Sequence, residues 1–160
     1  MVKVIFCLPG SVYSREFLLS WTDLVMQTAS RGHQVIVSQQ PTLSECLKPV
    51  VSSDYDVAML IGSDIVFKPE DFFSILESPH DVTSGMYLKK PSAEFNEPVF
   101  EGINVGPSDV GSEQYVKVKK CALGWTLIRK GVLEANDSTE FDEVYVDTTI
   151  RVGHRVEIVI

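Results

Sequence analysis

The stretch 54–73, DYDVAMLIGSDIVFKPEDFF, constrains the chain more than any other. Its apolar run, 57–61, stops abruptly at Gly62-Ser63-Asp64. A run of about five apolar residues between polar and turn residues is the pattern of a strand buried on both faces. Ile65, Val66 and Phe67 follow, then Lys68-Pro69-Glu70-Asp71. A proline followed by two acids predicts a helix start, with its acids in the first turn. The strand therefore delivers Asp64 to the C-terminal edge of a sheet, the place where open α/β sheets bind ligands.

The rest of the chain supplies the other layers. Residues 2–8 (VKVIFCL) predict a first strand and Pro9-Gly10-Ser11 the loop after it. From 14 to 30, Phe17, Leu18, Trp21, Leu24, Val25 and Ala29 keep helical spacing, with Ser14 as N-cap and Arg31-Gly32 as the stop. Residues 34–38 (QVIVS) predict a second strand, and strand–helix–strand with short connections is a βαβ unit with parallel strands. Residues 42–51 are spaced as a short helix interrupted by Pro49, and 70–77 as another helix. Residues 82–89 predict a strand broken at Gly85, and 115–120 alternate as a strand does. Residues 121–130 form an apolar run with a corner at Gly124-Trp125, 132–136 a helical turn, and 145–146 and 156–160 extended pieces. Residues 91–114 have little periodicity and predict a long excursion.

Composition narrows the function classes. The 160 residues are enough for one domain with a sizeable core, and 44% hydrophobic residues argue against disorder. No apolar run approaches the roughly 20 residues of a membrane span. The net charge of −8, with Lys117, Lys119 and Lys120 as its densest basic cluster, argues against a nucleic-acid surface. Three cysteines without a CxxC predict buried thiols in a reducing, cytoplasmic compartment. No P-loop, Gly-x-Ser-x-Gly or HExxH pattern is present. His33 and His80, both in turns, read as structural residues.

Several segments together resemble a known family: VIFCLPG, SDIVFKPEDF at 63–72, SGMYLK at 84–89, GWTLIRKGVLE at 124–134 and VDTTIRVGH at 146–154. They are similar to nucleotide-diphospho-sugar glycosyltransferases of the GT-A fold, most of all to the small enzymes of phages and large DNA viruses. The resemblance implies a Rossmann-like α/β fold with a mixed, mostly parallel sheet flanked by helices, in a single domain spanning 1–160. It implies sugar transfer from a UDP- or GDP-sugar to a hydroxyl of a glycan or protein acceptor. Its Asp-x-Asp motif and a later histidine hold Mn²⁺ or Mg²⁺ on the diphosphate, which makes Asp64 and His154 the expected metal ligands. A hard cation with oxygen ligands would stabilise the charge gained by the leaving diphosphate.

The same resemblance assigns further residues. Pro9, Gly10, Ser11, Ser38, Gln39 and Ser63 are the expected nucleotide contacts. Gly85, Met86, Gly124 and Trp125 are the expected sugar and acceptor contacts. Glu140 and Asp142 are the expected candidates for the base that an inverting transferase needs. The sequence departs from the pattern at Gly62, which stands where the first motif acid would be, and in the short intervals 39–53 and 136–144. Two alternatives remain: a degenerate relative that binds a sugar nucleotide or glycan without turnover, and a Rossmann-like nucleotide-binding or interaction module lacking GxGxxG after strand 1.

Overall fold

The computed structural model describes residues 1–63, 65–87, 115–118, 123–135 and 148–158; for 86–87, 115–118 and 148–158 only the backbone is described. The chain runs β1 (Lys3–Pro9), α1 (Arg15–Ser30), β2 (Gln34–Gln40), α2 (Leu43–Val51), β3 (Val57–Ile61), β4 (Ile65–Val66) and α3 (Pro69–Leu76). It continues with β5 (Val82–Tyr87), β6 (Tyr115–Val118), β7 (Trp125–Arg129), α4 (Val132–Ala135) and β8 (Thr148–Ile158).

Local chemistry sets the helix boundaries. Ser14 accepts a hydrogen bond from Phe17 N–H at 3.0 Å, and Thr42 accepts one from Glu45 N–H at 3.2 Å. These side-chain oxygens satisfy donors that a first helical turn leaves unpaired. At α3 the Asp71 carboxylate accepts from Lys68 N–H at 2.7 Å behind Pro69 at the helix start. Pro49 lies inside α2, and the amphipathic pattern of Cys46, Leu47 and Val50 carries the helix through it, because tertiary burial outweighs the missing donor.

The strands form one sheet in the order β2-β1-β3-β7-β5-β8-β4, with β6 added on β8. β1 pairs in parallel with β2 and β3, and β5 with β8. β7 is antiparallel to both β3 and β5, and β8 is antiparallel to β4 and β6. Five of the eight described strands thus run in one direction.

Each face of the sheet carries a core. On one face, Val4, Phe6, Leu8, Val57, Met59, Ile61, Trp125 and Leu127 pack against Phe17 and Leu24 of α1 and Phe72 and Ile75 of α3. On the other face, Ile5, Cys7, Ala58, Leu60 and Ile128 pack against Cys46, Leu47 and Val50 of α2 and Leu133 of α4. All five residues of β3 are fully buried, as the two-sided apolar run requires.

At the opposite end of β3 from Gly62 and Ser63, the buried Tyr55 donates from its hydroxyl to Glu134 Oε1 at 2.6 Å. Burial pushes the Tyr55 phenol up, and the Glu134 carboxylate pushes it further. Burial also pushes the Cys7 and Cys46 thiols up, and neither cysteine is in a disulfide. Of the turn histidines, His33 Nδ1 accepts from Val2 N–H at 3.2 Å, and the backbone N–H of His80 donates to the buried Ser78 hydroxyl.

Candidate functional site

The sheet order makes one position special. From β1 the chain crosses through α1 to β2 on one side; from β3 it proceeds to β4 at the far side. Adjacent parallel strands whose connections leave in opposite directions open a crevice at their C-terminal ends, where open α/β sheets take ligands. Here the crevice lies between Gly10, just past β1, and Ser63, just past β3.

The β1 side of the crevice is a braced loop. Gly10 has φ +132, a conformation that L side chains rarely adopt, and its N–H donates to Gln40 O at 2.9 Å. The Tyr13 hydroxyl donates to Leu8 O at 2.7 Å, with Gly10 O at 3.2 Å. Gln39 Nε2 donates to Gly10 O at 2.8 Å and to the Tyr13 hydroxyl at 3.2 Å. Both Gln39 amide hydrogens are thereby used. Ser38 points the other way, its hydroxyl donating to Cys46 O in α2 at 2.8 Å. Pro9, Gly10, Ser11, Gln39 and Ser63 are therefore gathered at one edge, with Ser38 just behind it.

Tyr13 belongs to this edge and escaped the sequence reading. Its signal was modest: an aromatic with a polar tip, three residues beyond Gly10 in the loop that ends β1. Its ring packs on Phe17 with centroids 5.1 Å apart, which fixes where the hydroxyl stands.

The β3 side is tied to β7. Gly62 N–H donates to Gly124 O at 2.8 Å, and Gly62 O accepts from Ile65 N–H at 3.1 Å. Trp125 is fully buried, its ring 4.8 Å from that of Phe67 at 38°. What Trp125 brings to the edge is backbone: its carbonyl accepts from the buried Ser84 hydroxyl at 3.0 Å. Gly85 follows Ser84 and is buried at a register break. Ser84 pairs with Ile150 and Met86 with Arg155, so Gly85 opposes residues 151–154, which include His154. The strand break expected at Gly85 is this bulge, which leaves extra residues in one strand and bends it.

The metal expectation rests on Asp64 and on His154, of which the backbone alone is described. Asp64 lies outside the described residues, as do Glu140 and Asp142. Among the described residues, no group of three or more His, Cys, Asp or Glu stands together to hold a cation. Gly62 offers only backbone, and its carbonyl already accepts one hydrogen bond. The described part of the crevice, from Pro9 to Ser14, Gln39, Gln40, Ile61 to Ser63 and Gly124 to Trp125, carries no charged side chain. These residues offer hydroxyls, the two amides of Gln39 and Gln40, and backbone groups.

No helix among the described residues is long and apolar enough to cross a membrane. No family model and no curated protein matches the chain. Solved structures do. A197 from STIV is 16% identical with a TM-score of 0.57, the match covering 92% of this chain and 81% of that one. The inositol-1-phosphate CTP transferase from T. maritima is 10% identical with a TM-score of 0.55, covering 99% of this chain and 89% of that one. A glycosyltransferase involved in the glycosylation of the major capsid of PBCV-1 overlaps at 14% identity and a TM-score of 0.39, covering 82% and 62%, and carries no weight. At such identities the likeness is one of fold: a Rossmann-like α/β architecture shared with a nucleotide transferase.

Proposed function

We propose that this chain is a nucleotide-diphospho-sugar glycosyltransferase of GT-A type. The observation that carries the reading is the crevice at Gly10 and Ser63, at the point where the sheet's connections diverge. In this reading the loop Pro9–Ser11, Tyr13, Gln39 and Ser63 hold the nucleoside of a UDP- or GDP-sugar. Gly85, Met86 and Gly124 border the transferred sugar and the acceptor, a glycan or protein hydroxyl. Asp64 and His154 are the residues to hold Mn²⁺ or Mg²⁺; when bound, the cation would offset charge on the diphosphate. In an inverting reaction, Glu140 or Asp142 takes the acceptor hydroxyl's proton. The acceptor oxygen then bonds to the anomeric carbon as the carbon–oxygen bond to the diphosphate breaks, and the electron pair leaves with the nucleoside diphosphate.

A second reading has its own observation. Gly62 supplies no carboxylate where the resemblance expects one, which favours a protein that binds the sugar nucleotide without transferring the sugar.

Thermal unfolding with UDP- and GDP-sugars, each with and without Mn²⁺, separates the two when joined to a hydrolysis assay. Stabilisation with hydrolysis supports the transferase, and stabilisation alone supports the binder. No response to any sugar nucleotide overturns both.

A further inference from the structure

The pairing registers lay one row across the sheet. Cys7 pairs with Ser38 and with Leu60, Leu60 with Thr126, Thr126 with Ser84, and Ser84 with Ile150. β1, β2, β3, β5 and β8 run in one direction, so the residues that follow this row in each of them leave it on the same side. Gly10 and Ser63 come three residues past the row in their strands. Residues 151–154 leave it on the same side in β8, three strand spacings from β3, or about 14 Å. This stretch of β8 thus belongs to the sheet edge that carries the crevice. Its pairing is irregular there. Ser84 pairs with Ile150 but Met86 with Arg155, so Gly85 alone stands opposite 151–154. On its other side β8 pairs with β6 as far as Arg151 and with β4 from Glu157. Residues 152–154 therefore fall between these registers, in a bulge, a device that re-aims side chains and is frequent beside ligand sites. The bulge and its flanks read Arg151-Val152-Gly153-His154-Arg155. In a chain of net charge −8, two guanidiniums and an imidazole fall within these five residues, and the one acid of β8 is Glu157, at the β4 pairing.

We infer that Arg151 and Arg155, which bracket the bulge, form an anion site at this edge and take the diphosphate of a nucleotide; this rests on the proposed function and deepens it. Three points select a diphosphate. A guanidinium pairs with phosphate oxygens through two parallel hydrogen bonds, and two guanidiniums match two linked phosphoryl groups. With the nucleoside at Gly10 and Ser63, its diphosphate continues along the same edge, and the crevice residues Pro9 to Ser14 and Ile61 to Ser63 bring no charged side chain to meet it. Gly62 stands where the resemblance expects a carboxylate, so the edge carries one negative charge fewer, which favours an anion held directly by cationic side chains.

Calorimetric titration of the whole chain with inorganic pyrophosphate, in EDTA, tests the site without a nucleoside or a metal. The expected result is saturable binding that weakens as salt rises. Arg151→Gln and Arg155→Gln are each expected to weaken it about tenfold or more. Arg151→Lys and Arg155→Lys keep the charge but lose the fork, so they should fall between the original and the glutamine variants. Lys48→Gln, an exposed cation of α2, should leave binding unchanged, and inorganic phosphate should bind about tenfold more weakly than pyrophosphate. Circular dichroism and thermal melting check folding; where a glutamine variant does not fold, its lysine variant carries the test. No binding of pyrophosphate, binding unchanged in the arginine variants, an equal loss in Lys48→Gln, or phosphate bound as tightly as pyrophosphate each overturns the inference. The transferase reading fails separately. Pyrophosphate bound through the two arginines with no response to any UDP- or GDP-sugar overturns that reading and leaves the anion site standing. Sugar-nucleotide binding that both glutamine variants retain in full does the reverse.

Discussion

A methyl group placed on Gly10 would lie 3.1 Å from both Cβ and Oγ of Ser63. The ends of β1 and β3 therefore meet through the one residue type that has no Cβ. Contact this tight must be relieved by movement, and at φ +132 the substituted backbone is strained as well. Gly10→Ala is expected to cost about 2 kcal/mol by urea denaturation. Ser63→Gly removes the contact but not the backbone strain, so the double variant should recover about 0.5–1 kcal/mol of that loss. Strict additivity of the two would show that the contact carries no energy.

Gln39 spends both amide hydrogens on the Gly10 loop and Tyr13. It is exposed, so water compensates much of what its removal takes away. Gln39→Leu should therefore lower stability by about 1 kcal/mol or less. The same change leaves the loop unbraced and, in the proposed reading, removes an acceptor from the nucleoside site. Stabilisation by a UDP- or GDP-sugar should fall at least tenfold in apparent affinity, about 1.4 kcal/mol. An unchanged titration midpoint would remove Gln39 from the site.

Alkaline pH should unfold the protein through its buried acids. Tyr55, Cys7 and Cys46 all have their pKa raised by burial above ordinary values of 10.0 for the phenol and 9.0 for the thiols. The folded chain holds these protons more tightly, so their contribution to stability is complete below those ordinary values. It is lost as pH rises through the higher folded values, because the unfolded chain releases its protons first. Stability should therefore decline from about pH 9 upward, by up to about 1.4 kcal/mol per pH unit for each group released. Tyr55→Phe should flatten the part that starts near pH 10, read from urea midpoints across the range.

Gly62 can be asked to accept the missing acid. Positive φ among the described glycines occurs at Gly10, Gly32 and Gly131, so Gly62 has a backbone that L residues adopt. Gly62→Asp should fold with less than about 1 kcal/mol of loss. If Asp64 and His154 hold a cation, a second carboxylate should tighten Mn²⁺ binding about tenfold or more by calorimetric titration. Equal affinities in the two proteins would count against the metal assignment.

Where sequence and structure agree, the reason is local. The five apolar residues of β3, the Ser14 cap of α1 and the Pro69-Glu70-Asp71 start of α3 depend on neighbours in sequence, and all three are found where the pattern puts them. β8 is different. Its residues 148–155 include Thr149, Arg151, Gly153 and His154, a mixed pattern with weak periodicity, and it becomes a strand by pairing with β5, β6 and β4. The loop PGS announced an edge, but the convergence of Tyr13 and Gln39 on Gly10 depends on a strand 29 residues further on. Trp125 shows the opposite failing: a Gly-Trp corner reads equally as a binding surface or a core, and only its packing on Phe67 places the ring inside.

The pairing pattern also implies an order of assembly. β1, β2 and β3 find one another within residues 3–61, joined by short crossovers. Among the described residues, β4 and β6 have only β8 as a partner, and Ile65 must wait for Ile158. Loops of that length close slowly, whereas short ones close early, and synthesis delivers the N-terminal half first. The sheet thus has a fast half and a slow half. The Gly10–Ser63 crevice is framed by the fast one, so this edge of the sheet takes shape while the far strands are still being recruited.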